Sequence, residues 1–344
     1  YSKTANDINE GNGIDPNSTL TLSTRLGLVL PTALLYKLFG INDFSSVIFV
    51  LVISVASIVL MFYFGKLLFN EKIGLIAAFL LSIFPLDIVY STKLVSDLPS
   101  AFFMSLGVYV FLYAEMKRKA KYGLDYLASG ILIGIGYMIR ESALLIALFF
   151  VAYIIYKRAI KREYVLVPLG VLIIFLIEAF IFLGLTNDPF YRIVASQQYN
   201  AKAVIEEYNY FGRLDFPTGL FHYPWLFLTN NLLAYFYVPS FLAIIYLLIR
   251  KKREAYVMLI WLIPLLLYLS FGSASFTQYI PFRAVERYTS IITMPAILLL
   301  AFFLSEKKIS MKRWAMPIAL AFLLLVLETH YMKMGTVRKL SVFL

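Results

Sequence analysis

Apolar runs of membrane length recur along this chain and leave little polar sequence between them. A membrane-spanning helix needs about 20 mostly apolar residues, because the hydrocarbon core of a bilayer is about 30 Å thick. The pattern therefore predicts an all-α polytopic membrane protein, a helical bundle with about ten transmembrane helices. The predicted spans fall at 44–65, 74–92, 97–115, 125–139, 142–156, 164–184, 230–249, 255–271, 288–304 and 314–329.

Composition argues against a soluble protein and against nucleic acid as a partner. Charged residues make up only 15% of the chain, whereas a soluble chain carries about 25%. The net charge of +11 comes mainly from short basic loops between apolar runs, which is typical of the cytoplasmic loops of membrane proteins. We therefore expect membrane lipids around this chain and no nucleic acid.

The basic loops also predict the orientation. They lie at alternate connections, at 117–121, 157–162, 250–253 and 307–313, and the positive-inside rule places them in the cytoplasm. Both ends of the chain then lie outside. An outside end that begins at Tyr1 rather than at Met predicts a further transmembrane helix upstream of Tyr1.

Two segments on the predicted external side are long. The first contains the amphipathic run Arg25 to Phe39, predicted as an interfacial helix with Leu26, Leu30, Ala33 and Leu34 toward lipid. The second is rich in tyrosine and is predicted to cap an external site. The sequence thus divides into a first external loop (1–43), a transmembrane part with candidate site turns (44–184), a cap loop (185–229) and C-terminal helices (230–344).

Metal chemistry is restricted by the residue types. The chain has no cysteine and only two histidines, His222 and His330, so a zinc site of several His and Cys ligands cannot form. Carboxylate ligands favour Mg²⁺ or Mn²⁺. If a metal binds, Asp97 is the candidate ligand.

Ionisable residues collect at the predicted external ends of the spans, where they are expected to face a cavity. They are Asp87, Lys93 and Asp97, then Arg140 and Glu141, then Arg283, Glu286 and Arg287. Asp97 begins an apolar helix, so it is either a helix N-cap or a functional carboxylate, or both. Snorkelling is an alternative role for Lys93 and Arg283.

Arg140 and Arg287 lie outside the basic loops, so orientation does not explain them. The guanidinium group is a forked donor suited to phosphate oxygens. We expect the two arginines to hold a phosphate near the external membrane surface. Ion pairs with the adjacent Glu141 and Glu286 are the alternative, although neighbouring residues pair poorly along a helix.

Four stretches resemble the external loops of GT-C glycosyltransferases, in the branch of the protein O-mannosyltransferases and aminoarabinose transferases. They are Arg25–Gly40, Pro85-Leu-Asp-Ile-Val-Tyr-Ser-Thr92 with Asp97-Leu-Pro99, Ser129-Gly-Ile-Leu-Ile-Gly134 with Arg140-Glu141, and Arg287-Tyr288 before Met294-Pro295.

The resemblance implies a GT-C bundle that transfers a sugar from a polyprenyl-phosphate-linked donor to an acceptor on the extracytoplasmic side. Such enzymes carry an acidic residue in the first external loop. Tyr1 to Ala5 resembles the stretch that follows that residue, so the principal catalytic carboxylate is expected upstream of Tyr1.

The sequence thus predicts a membrane glycosyltransferase, expected in the plasma membrane of a prokaryote, with a protein, lipid or glycan as acceptor. Asp97 is the predicted catalytic residue. The predicted substrate-binding residues are Arg140, Glu141, Arg287, Tyr288, Lys93, Arg283 and His222, and for His222 a structural role beside its aromatic neighbours is the alternative. A transporter or lipid flippase is the rival function, since the mid-span Glu178 suits either class.

Overall fold

The computed structural model describes residues 1–12, 24–117, 123–197, 218–273, 279 and 284–306. The predicted span at 314–329, the basic loop at 307–313 and Arg283 lie outside the described residues. The first seven helices are α1 Ser2–Asn9, α2 Leu26–Phe39, α3 Asp43–Leu68, α4 Glu71–Ser82, α5 Pro85–Ser91, α6 Asp97–Lys117 and α7 Leu124–Ile139. The others are α8 Ala147–Lys157, α9 Leu166–Thr186, α10 at 191–197, α11 His222–Thr229, α12 Ala234–Ile249, α13 Tyr256–Phe271 and α14 Ser290–Ser305.

Helices overlap every predicted span within the described residues, and the all-α fold class is confirmed. Five helical stretches are long and apolar enough to cross a bilayer, or six if the bent pair α4 and α5 forms one span. Helices α2 and α7 and residues Phe236–Ile249 are apolar but shorter. The count of ten spans is therefore approximate.

The predicted span at 74–92 is not one straight helix. Helices α4 and α5 meet at an angle of 58°, and Phe84 between them has an extended backbone with ψ of 116°. Pro85 explains the bend, because its ring disfavours helical geometry at the preceding residue and it has no N–H to donate. The bend places α5 beside the start of α6.

Small residues allow α7 and α9 to approach closely. A Cβ atom added at Gly170 would lie 2.5 Å from the Leu127 carbonyl oxygen, and one added at Gly130 would overlap Val167. Close backbone approach at glycine is a usual way for membrane helices to associate. It packs α7 firmly against α9, and α7 carries the turn at Arg140.

Helix α2 forms where predicted, but it presents a different face to the surroundings. Leu26 is fully buried and Ala33 is 7% exposed, whereas Leu34 is 58% exposed. The prediction that all of these side chains face lipid is therefore wrong for Leu26 and Ala33. The reason is that α2 packs against α1, α3 and α7 rather than lying alone in the interface.

Large apolar side chains line the outside of the bundle. On α3 they include Val52, Val55 and Val59, and on α9 they include Leu176 and Phe180, all about half exposed or more. Such stripes on long helices are suited to lipid contact. The chain is an integral membrane protein.

Candidate functional site

Three connections meet at one end of the bundle and bring Asp97 together with two arginines. Asp97 begins α6, Arg140 follows α7 in an extended conformation, and Arg287 lies in a short 3₁₀ helix before α14. Asp97 is buried, with 6% exposure, and forms an ion pair with Arg140. The Nε atom of Arg287 lies 3.8 Å from Asp97 Oδ2.

Tyr288 lies against both guanidinium groups. Its ring centroid is 4.5 Å from Cζ of Arg140 and 5.6 Å from Cζ of Arg287. An aromatic face attracts a guanidinium cation and keeps its plane in place. The side chain of Arg140 is 13% exposed and that of Arg287 is 41% exposed, so Arg287 is the cation that a ligand from outside can reach.

Arg25 is a site residue that sequence reasoning missed. Its Nη1 donates to Tyr1 Oη at 2.6 Å and to Ser96 Oγ at 2.9 Å, and its Nη2 lies 3.3 Å from Glu141 Oε2. The sequence places Arg25 at the start of an amphipathic run and of a stretch that resembles the family, but it assigns this residue no role in the site. Its position as a lone cation ahead of an apolar run was the available signal.

Glu141 joins Arg25 to a second missed residue, Arg192. Burial on its own would raise the pKa of Glu141, but Arg192 and Arg25 outweigh burial and hold this pKa below its ordinary value of 4.5. Glu141 is therefore an anion at neutral pH. The alternative interpretation, an ion pair between Arg140 and Glu141, does not hold, because Arg140 pairs with Asp97 and Glu141 pairs with Arg25 and Arg192.

The mid-span carboxylate Glu178 has a partner in Arg192. The Nη1 atom of Arg192 lies 2.5 Å from Glu178 Oε1, and both residues are buried. A buried charge in a membrane span is expected to be paired when it is structural. Glu178 therefore gives the transporter alternative no specific support.

The remaining predicted residues lie around this group. Lys93 is exposed, and its Nζ lies 5.0 Å from the ring of Tyr90. The Tyr90 hydroxyl donates to Glu286 at 2.6 Å. His222 begins α11 and is partly buried, which lowers the pKa of its imidazole, so it is neutral at pH 7.

A small crevice lies between α3, the bent pair, α6 and α14. Its polar lining consists of Ser57, Asp87, Tyr90, Ser290 and Thr293. Asp87 accepts a hydrogen bond of 2.7 Å from Ser54. Through Tyr90 and Glu286, the crevice borders the residues around Arg287.

The described residues do not fit a magnesium or manganese site. Within them, no group of three or more His, Asp and Glu side chains is close enough to hold a metal ion. Asp97 faces two guanidinium groups, which would repel a divalent cation.

Part of the chain, including some of the site residues, matches a known protein family. Residues 29–182 match the family model described as dolichyl-phosphate-mannose-protein mannosyltransferase. That stretch contains Asp97, Arg140 and Glu141 but ends before Arg192 and Arg287. No curated protein matches the chain in sequence.

Solved structures share the fold. The chain resembles apo ArnT from Cupriavidus metallidurans with a TM-score of 0.57 and 17% identity, covering 84% of this chain and 50% of that one. It also resembles the Archaeoglobus fulgidus oligosaccharyltransferase, both in complex with Zn and sulfate (TM-score 0.50, 18% identity, 87% and 42% covered) and tethered to an acceptor peptide containing the NVT sequon (0.51, 17%, 87% and 44%). The chain thus spans half or less of the length of these proteins.

Proposed function

We propose that this chain is a GT-C glycosyltransferase, a class supported by the family-model match and by the fold, and that it transfers a sugar from a polyprenyl-phosphate-linked donor to an acceptor at the extracytoplasmic membrane face. The family description names a dolichyl-phosphate-linked mannose donor and a protein acceptor. Polyprenyl phosphate is the donor chemistry that both this description and the arginine cluster favour. The acceptor is a protein, a lipid or a glycan.

The observation that carries the proposal is the state of Arg287. Its side chain is 41% exposed, its Nε is buried without a hydrogen-bond partner among the described residues, and its distance of 3.8 Å to Asp97 is longer than a hydrogen bond. A partly exposed guanidinium group can donate from its two terminal nitrogens to two phosphate oxygens. Arg140 pairs with Asp97 and stacks on Tyr288. We therefore assign it to keeping these two side chains in place and to adding positive charge beside the phosphate.

The reaction replaces one glycosidic bond by another. The acceptor hydroxyl oxygen attacks the anomeric carbon, the bond from that carbon to the phosphate oxygen breaks, and both of its electrons leave with the lipid phosphate. Negative charge develops on the phosphate, where Arg287 and Arg140 stabilise it. The hydroxyl proton ends on the departing phosphate or on a carboxylate base.

Asp97 acts mainly through the arginines in this proposal. Its carboxylate pairs with Arg140 and lies 3.8 Å from Nε of Arg287, so we assign it to orienting these two arginines. Glu141 acts in the same way on Arg25. We place Tyr288 beside the phosphate, and Lys93 and His222 around the donor or the acceptor. Arg283 lies outside the described residues and stays a sequence-based candidate for the same role.

The proposed orientation rests on the different charged residues at the two ends of the bundle. The Asp97 end contains arginines that pair with carboxylates, whereas Lys157, Arg158, Lys161 and Arg162 lie at the end where α8 stops and α9 begins. The positive-inside rule assigns that second end to the cytoplasm. In a prokaryote, the first end then faces the outside of the plasma membrane.

Cysteine labelling tests the orientation, because the chain has no native cysteine. An impermeant maleimide applied to intact cells should modify a Lys93→Cys variant and spare Lys251→Cys until the membrane is opened. The reverse pattern would place the arginine cluster in the cytoplasm and remove the extracytoplasmic proposal.

Sugar transfer itself is tested with membranes from cells that express the protein. Radiolabelled sugar on polyprenyl phosphate should pass to an acceptor fraction, and the same sugar on a nucleotide should not. Membranes with an Arg287→Met variant serve as the matched control. Equal transfer by the wild type and this variant, or transfer from the nucleotide sugar, would contradict the proposal.

A further inference from the structure

Arg192 is buried deep in the bundle and lies outside the region that the family model matches. It belongs to the short helix at 191–197, which follows α9, and its exposed fraction is 3%. It contacts neither Asp97 nor Arg287. A buried arginine is retained only where its charge and its donors are satisfied, so its contacts define what it does.

All five N–H donors of Arg192 have acceptors. Nε and Nη2 donate to Glu141 Oε1 at 3.2 and 2.9 Å, and Nη1 donates to Glu178 Oε1 at 2.5 Å. The remaining donors reach the carbonyl oxygens of Tyr137, at 2.7 Å, and Met138, at 3.3 Å. The guanidinium group also lies 4.4 Å from the ring centroid of Tyr137.

Two of those contacts cap α7. Tyr137 and Met138 lie in the last turn of this helix, where carbonyl groups have no partner within the helix. A cation at a helix C-terminus also interacts favourably with the helix dipole. The chain leaves α7 at Arg140, the partner of Asp97, so the cap fixes the point from which Arg140 departs.

The contact with Glu141 extends this effect to Arg25. One carboxylate oxygen of Glu141 accepts from Arg192, and the other lies 3.3 Å from Arg25. Arg25 in turn donates to Ser96, the residue before Asp97. An alternating series of charges thus runs from Glu178 through Arg192 and Glu141 to Arg25.

We propose that Arg192 is a positioning residue that anchors the segment after α9 to the turn at Arg140 and Glu141, and so sets the geometry of the transfer site. This inference rests on the proposed function for its effect on catalysis. The anchor itself rests only on the contacts. The fivefold donor set explains why arginine is needed, since lysine offers three donors from a single point.

Kinetics of Arg192→Met and Arg192→Lys in reconstituted membranes test the proposal. A displacement of about 1 Å at a catalytic group costs about 100-fold in rate, so Arg192→Met should lower kcat about 100-fold and change KM for the donor less than about threefold. Arg192→Lys should recover part of kcat. Lys161→Met, which removes the ion-pair partner of the buried Glu115 at the other end of the bundle, is the control and should leave kcat unchanged.

A second readout does not depend on activity. A single cysteine at Ser142, placed directly after Glu141, reports opening of the turn through its rate of maleimide labelling. Arg192→Met should raise this rate about tenfold, and Lys161→Met should not. If Arg192→Met does not accumulate in membranes, Arg192→Lys takes its place. This variant should show a smaller increase in the labelling rate and a lower kcat, while its Tm stays equal to that of the wild type.

The outcomes separate the two proposals. Wild-type kcat and wild-type labelling in the Arg192 variants overturn the anchor. If the Arg192 and Lys161 variants lose equal amounts of kcat and equal amounts of Tm, Arg192 has only a structural role. That result also overturns the proposal. Faster labelling of the turn in a protein whose wild type transfers no sugar keeps the anchor and rejects the proposed function.

Discussion

Helix α6 carries a buried carboxylate near each end, and the two have different partners. Asp97 at one end is 6% exposed, and the side chain of Glu115 at the other end is 7% exposed. Glu115 accepts from Lys161 at 2.6 Å, from Tyr126 at 2.6 Å and from Tyr153 at 3.4 Å. Asp97 instead lies between two guanidinium groups.

The difference separates a structural cluster from a candidate ligand site. One lysine balances the charge of Glu115, and tyrosine hydroxyls occupy its remaining acceptor sites, which leaves nothing for a ligand to satisfy. At Asp97 two guanidinium groups lie beside one carboxylate. The side chain of Arg287 is 41% exposed, and its buried Nε has no hydrogen-bond partner among the described residues. Burial therefore does not distinguish a structural carboxylate from one at a ligand site. The amount of positive charge around each carboxylate does.

The strongest test of this comparison removes the available cation. Arg287→Met should lower sugar transfer by about 100- to 1000-fold, the range found when one preorganised donor to a developing oxyanion is removed. Initial rates with a polyprenyl-phosphate sugar, normalised to folded protein, measure the effect. A loss below about threefold would mean that Arg287 does not face the reacting phosphate.

A smaller effect is expected when Arg140 becomes lysine. Arg140→Lys keeps the charge beside Asp97 but loses the planar group that stacks on Tyr288. Transfer should fall about 10- to 100-fold with little change in Tm. Wild-type rates in this variant would show that a point charge is enough and that the stacking is incidental.

At the other end, the same kind of change should affect stability and not chemistry. Glu115→Gln removes a buried charge that Lys161 balances and should cost about 1–3 kcal/mol. The Tm in detergent should fall by a few degrees, while transfer per folded molecule stays within about twofold of the wild type. A tenfold loss of transfer at unchanged Tm would place function at both ends and break the comparison.

The smallest effect concerns pH. The pKa of Glu141 lies below 4.5 in the folded protein because of Arg192 and Arg25, so the stability that it contributes is complete above pH 4.5 and is lost as the pH falls through the lower folded pKa. As the pH falls below 4.5, the wild type should therefore lose the stability that Glu141 contributes, and Glu141→Gln should show a smaller acid-induced drop of Tm. Equal drops in the two proteins would show that the network does not hold this carboxylate ionised.

Sequence patterns predict the positions of the helices better than they predict the bends within them. Hydrophobic length locates the spans because lipid leaves the chain no alternative to a helix at that depth. The bend before α5 was missed although Pro85 was visible, because a window of apolar residues does not register a single proline. Helix α1 is short and polar, so no hydrophobic pattern reports it; its contact with α2 comes from tertiary packing.

The sequence predicts where the candidate site lies, but it does not predict which charged side chains form ion pairs there. Asp97, Arg140 and Arg287 were expected at one side because alternate span ends share a side of the membrane. Which groups pair depends on side-chain directions across three helices, which the sequence does not record. Arg192 was missed for a related reason: it lies in a segment that we predicted only as a cap, yet its side chain enters the bundle.

Direct binding of the lipid phosphate tests the central claim. The affinity of a radiolabelled polyprenyl phosphate for the protein in nanodiscs is compared among the wild type, Arg287→Met and Lys161→Met. If the Asp97 end binds the donor phosphate, Arg287→Met raises the Kd at least about tenfold, the loss of about 1.4 kcal/mol of binding free energy, and Lys161→Met leaves it unchanged. Equal affinity in all three proteins, or weaker binding only in Lys161→Met, contradicts the assignment of the phosphate site to the Asp97 end.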